Sequence, residues 1–157
     1  MKWAALIAWV VTAGGGFVLL AIWLRRGGMR QRGEPGRPRI RPPLILSHFL
    51  LAAGGLVIWI IYLAADKDVL AWIAFAILAV VALLGFTMFA IWAQQRQRRG
   101  AEVAAAAPGE PAGGAAGGGP NPAAEQHFPV SIVALHGLLA VTTVVLVLLT
   151  AVGVGGS

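Results

Sequence analysis

Four uninterrupted apolar runs, residues 3–24, 44–65, 69–93 and 130–154, constrain this chain more than anything else in it: each holds 22 to 25 residues with no Asp, Glu, Lys or Arg inside. About 20 apolar residues span the hydrocarbon of a bilayer, so each run is long enough to cross with some tilt. Backbone polar groups in lipid must be satisfied within the segment, and a barrel would show alternating strands of about ten residues, which are absent. The expected fold class is therefore all-α, an integral membrane four-helix bundle. Composition agrees, at 59% hydrophobic and 11% charged with a mean hydropathy of +0.81, against the roughly one quarter charged of soluble domains. The first run opens like a signal peptide but stays apolar to Leu24, beyond the h-region length of about 7–15 residues, so it reads as a retained helix.

The net charge of +6 could suggest nucleic acid until the basic residues are placed. Ten of the twelve lie in two segments, seven Arg in residues 25–43 and Arg96, Arg98 and Arg99 after the third run. In a four-span chain these two segments share one side. Positively charged loops stay inside, so both termini are expected outside (N-out/C-out), and the pI calls for no nucleic-acid partner. Trp3, Trp59, Tyr62 and Trp72 then fall toward the outer interface, with Trp23 and Trp92 toward the inner one, as aromatic belts require. The loop 25–43 is rich in Arg, Pro and Gly and is expected to lie against anionic lipid headgroups, or simply to set topology. Residues 100–126 are Ala/Gly/Pro-rich and read as a disordered cytoplasmic linker. No internal repeat is apparent, the helix pairs sharing apolarity but no aligned motif.

Because charge is missing from the spans, a voltage sensor, a carboxylate proton relay and an acidic cation site lack their parts. No Walker loop, dinucleotide fingerprint, nucleophile elbow or paired His on one helix turn is present either, so the chain is read as more a non-enzyme than an enzyme. With no cysteine, thiolate metal sites, iron–sulfur clusters and covalent haem are excluded. Histidine remains. His48 lies five residues past Pro43 and His136 six past Val130, which at 1.5 Å per residue puts both imidazoles about 7–9 Å inside the same face. Met88 reaches a similar depth, and His127 belongs at the interface beside Pro129.

Small residues flank both imidazoles, with Ala52, Gly54 and Gly55 following His48 and Ala140 and Thr143 following His136, while Gly14, Gly15 and Gly16 lie on the first helix and Gly85 on the third. Such faces serve close helix packing or leave room for a flat macrocycle. Haem iron takes His/His or His/Met axial ligands, and bundles build cofactor sites from facing side chains. The candidate site is thus a single haem b held by His48 and His136, which are also the candidate metal ligands, with Met88 and His127 as a secondary pair and propionates near Arg25, Arg26 or Arg41. The competing reading has each imidazole bonded to a Ser, Thr or backbone carbonyl on a neighbouring helix. Zinc lacks a nearby carboxylate or thiolate.

The blocks LILSHFLLAAGGLVIWIIYLAADKDVLAWIAFAILAVVALLGFTMFAIW and HFPVSIVALHGLLAVTTVVLVLL resemble small four-helix integral membrane proteins of high-GC Gram-positive bacteria (actinobacteria). In pattern they are also similar to b-type haem four-helix membrane proteins. The resemblance implies a plasma-membrane location and supplies no catalytic residue. Three functions stand open: a b-type haem protein for electron transfer or redox sensing; a non-enzymatic subunit or assembly factor that binds another membrane protein or a second copy; and a small permease.

Overall fold

The computed structural model describes residues 1–30, 39–105 and 123–154. Within them the chain forms four helices, α1 (Lys2–Arg25), α2 (Pro42–Ala65), α3 (Asp68–Ala105) and α4 (Val130–Ala151), with a short 3-10 turn at Ala124–His127. No strand occurs among the described residues. All four helices are long and apolar enough to cross a membrane.

Helix boundaries follow local chemistry. α2 opens on Pro42 and Pro43, whose fixed φ suits a first turn where N–H groups have no intrahelical acceptor. α1 stops at Gly27, which adopts a φ of +75°, and the next amide, Gly28 N–H, donates back to the Trp23 carbonyl at 2.9 Å. That is a Schellman closure. It lays Gly28 directly on the Trp23 indole, where a Cβ would collide with the ring. α3 runs past residue 93 to Ala105 because Gln94–Gln97 and the Arg and Ala that follow are good helix formers, and no proline intervenes before Pro108. So residues 100–105 of the stretch read as linker are helical, Ala124–His127 are ordered, and residues 106–122 lie outside the described residues, as do residues 31–38 of the basic loop.

Around the bundle α1 neighbours α2 and α4, and α3 neighbours the same two. The order is up-down-up-down, with α1 and α3 on one diagonal and α2 and α4 on the other. Two buried clusters sit at opposite ends. One contains Trp9, Trp59, Tyr62, Leu78 and Val147; the other, at the basic end, contains Trp23, Ile40, Ile45, Trp92 and Ala124. Large apolar side chains also point away from the bundle, among them Ile7, Leu50, Leu83 and Leu138, each more than 60% exposed. Helices apolar on their outer as well as their inner faces are the pattern of spans in lipid.

Candidate functional site

Between the two clusters lies a polar layer built from the diagonal helices. α2 presents His48 and α4 presents His136, and the two rings meet edge-on with centroids 6.4 Å apart and planes at 62°. The depth match expected from residue counting thus becomes a contact between imidazoles. Each ring is also held from the side. His48 Nδ1–H donates to the Val81 carbonyl of α3 at 3.0 Å, and His136 Nδ1–H donates to the Thr12 carbonyl of α1 at 3.0 Å. A carbonyl oxygen can only accept, so Nδ1 carries the proton and Nε2 is left as the lone-pair nitrogen of each neutral ring.

Glycine makes these contacts reachable. A Cβ on Gly16 would lie 3.1 Å from His136 Cε1, and one on Gly85 would lie 3.3 Å from His48 Cε1. Each imidazole therefore rests on bare backbone, one turn beyond the carbonyl it binds. Gly15 adds a looser contact with His136 at 3.6 Å, whereas Gly14 has open space around it. Of the glycine run in α1, Gly16 is the member that the histidine requires. Beside this layer the Thr12 and Thr143 hydroxyls meet at 3.1 Å, buried between α1 and α4; one donates its single proton to the other, and the accepting hydroxyl donates to the carbonyl one turn back on its own helix, Ala8 for Thr12 or Leu139 for Thr143.

The other two candidates stand elsewhere. Met88 packs against the basic-end cluster of Trp23 and Trp92, one turn beyond Gly85. His127 sits in the 3-10 turn, its Nδ1 buried with no hydrogen-bond partner among the described residues. No third His, Asp or Glu joins the imidazole pair among the described residues, so a closed zinc site of four protein ligands is not assembled there.

The structure adds a residue that the sequence reading passed over. Glu125 lies outside the apolar runs, yet it is fully buried. The 3-10 turn tucks it under the basic end of the bundle, where its Oε1 accepts from the Ile40 amide and from Gln95 Nε2, both at 2.9 Å. Its Oε2 is buried without a partner among the described residues, as are the indole N–H groups of Trp23 and Trp92. The only local signal was a charged residue closing the low-complexity stretch just before Pro129. Near this end an open groove of about 520 Å³ is lined by Arg39, Arg41, Pro43, Leu44, Ser47 and Ile91, pairing basic side chains with an apolar floor.

Comparison with family models, with curated proteins and with solved structures returned no match.

Proposed function

We propose that this is a multi-pass plasma-membrane protein that binds a single haem b between His48 and His136, for electron transfer or redox sensing. The observation that carries the reading is the spacing of the rings. Two imidazoles that shared one metal through their Nε2 atoms would have centroids up to about 6.2 Å apart, from metal–nitrogen bonds of about 2.0 Å and about 1.1 Å from each nitrogen to its ring centre. The centroids here are 6.4 Å apart. The donor set fits as well. Metal-bound histidines characteristically donate their second ring N–H to a backbone carbonyl or carboxylate, which fixes the tautomer and raises the basicity of the ligating nitrogen, and both rings do so.

A haem held there would supply a one-electron couple, and the protein's share is to orient and to exclude. The Thr12 and Val81 carbonyls aim the rings, and the apolar clusters above and below keep water out. Gly16 and Gly85, on the other diagonal, keep side chains off both flanks of the pair. The excess of Arg at one end supports an orientation with that end cytoplasmic and both termini outside, and the groove lined by Arg39 and Arg41 suits anionic headgroups.

The deciding experiment is to purify the full chain in mild detergent from haem-replete cells and to record oxidised and dithionite-reduced spectra. A Soret band that disappears in His48→Ala and in His136→Ala is expected. A featureless visible spectrum from folded protein would sink the reading. The second reading, a non-enzymatic membrane subunit with structural histidines, is favoured by the same two carbonyl bonds. Interhelical polar contacts of this kind are worth about 0.6 kcal/mol in membrane bundles and need no cofactor to explain them. It predicts a colourless protein that co-purifies with a defined membrane complex. The permease reading has less support, since no span is broken at the level of the pair and transport sites favour discontinuous helices.

A further inference from the structure

The way each histidine is held exposes a symmetry. His136 of α4 rests on Gly16 and binds the Thr12 carbonyl, four residues earlier in α1; His48 of α2 rests on Gly85 and binds the Val81 carbonyl, four residues earlier in α3. Superposing these two clasps aligns α1 on α3 with an offset of 69 residues and no gap. The aligned segments then read GFVLLAIW (16–23) against GFTMFAIW (85–92), and Trp3, Ala5, Val11 and Ala13 fall on Trp72, Ala74, Val80 and Ala82. Nine of the twenty-one positions in 3–23 are identical. The return helices carry HFLLA (48–52) and HGLLA (136–140), with the histidines in register.

Burial follows the same register. Ala5 and Ala74 are both fully buried, as are Trp59 and Val147, and Trp9 pairs with Leu78 and Trp23 with Trp92, all of them in the core. Chance identity between apolar helices would not also reproduce which residues are buried and which carbonyl binds which ring. The absence of an internal repeat expected from the sequence is therefore corrected. α1–α2 and α3–α4 are two copies of one helical hairpin, running in the same direction and related by a pseudo-two-fold axis along the bundle, with the second helix of each copy clasping the first helix of the other.

We infer that His48 and His136 form a two-fold-symmetric ligand site on this axis, which takes one metal centre through two equivalent Nε2 atoms, while Met88 and His127 take no part. The inference rests on the haem reading for the identity of the centre. The symmetry itself supplies the ligand set. Met88 aligns with Leu19, and His127 precedes α4 in a turn with no helical counterpart. Neither has an equivalent in the other hairpin, whereas the histidines are equivalent in position, in carbonyl partner and in the glycine each one rests on.

The test uses the full chain loaded with haem. Met88→Leu and His127→Gln are expected to keep the six-coordinate low-spin spectrum of the parent, and His48→Gln and His136→Gln to convert it to a five-coordinate form to the same extent. Loss of the low-spin form in Met88→Leu or His127→Gln overturns the inference, and so does conversion by only one of the two histidine variants. Should the parent take up no haem, the haem reading fails, and the symmetry is read instead from the unliganded protein. Gly16→Ala and Gly85→Ala then shift the melting temperature by amounts equal within twofold, and the graft Val18→Thr/Leu19→Met/Leu20→Phe, which makes residues 16–23 identical to 85–92, melts with the parent. Unequal glycine shifts, or a graft that fails to fold, overturn the equivalence of the hairpins.

Discussion

Glu125 offers the sharpest test of how the basic end is held together. Replacing it by Ala removes the acceptor of two buried donors, the Ile40 amide and Gln95 Nε2, each 2.9 Å from Oε1. A buried donor left without its acceptor costs about 1–3 kcal/mol. Deleting Oε2, which is itself buried without a partner among the described residues, recovers part of this, so a net loss of about 2–4 kcal/mol is expected. Glu125→Gln keeps an oxygen for both donors and should cost less than about 1 kcal/mol. Both are measured as unfolding stability in mild detergent. Hydrogen exchange at the Ile40 amide gives a local reading, with protection falling in Glu125→Ala and persisting in Glu125→Gln. An Ala variant that unfolds with the parent and leaves Ile40 equally protected would refute the reasoning, because the carboxylate would then not be the group that ties the chain before α2 to α3.

Other expectations bear on the layer and the ends. Ala in a helix interior is favoured over Gly by about 0.5–1 kcal/mol, and Gly14→Ala should keep that gain because its Cβ meets open space. Gly16→Ala, which places a Cβ 3.1 Å from His136 Cε1, should fall below Gly14→Ala by about 1–2 kcal/mol as the ring is displaced; equal stabilities would show that His136 is not seated on α1. Asp66 adopts a φ of 50° and pairs with Lys2 at 2.7 Å across an exposed surface. Asp66→Asn should lie within about 0.5 kcal/mol of the parent, and Asp66→Gly should exceed Asp66→Ala by about 1 kcal/mol, since only glycine enters the left-handed region without strain. For orientation, a reporter placed in the Asp66–Asp68 turn should be active only if it matures outside the cytoplasm, and one fused after Arg99 only if it matures inside; the reverse pattern would invert the topology argued from the arginines.

How much was legible beforehand depends on the range over which each determinant acts. The four helices could be read directly, since an apolar run with no charge has one way to satisfy its backbone in lipid, and that way is local. α3 ends at Ala105, beyond the apolar run 69–93, because hydropathy marks where a helix leaves the apolar region, whereas helix propensity, carried on by the Gln, Arg and Ala after residue 93, marks where it stops. The duplication was written in the sequence but concealed. Apolar helices draw on so few residue types that GFVLLAIW and GFTMFAIW stand out only once Gly16 and Gly85 are seen in the same role.

The sequence by itself determined that the chain makes four apolar helices, that its arginines gather at one end, and that two histidines lie at one depth, because hydropathy, charge placement and rise per residue are properties of neighbouring positions. Only the tertiary structure decided that His136 binds Thr12 across 124 positions, that His48 binds Val81, and that Glu125 reaches Ile40 across 85. Those pairings depend on which helices become neighbours around the bundle and on which glycines come to face the imidazoles, and no local property of the chain encodes either.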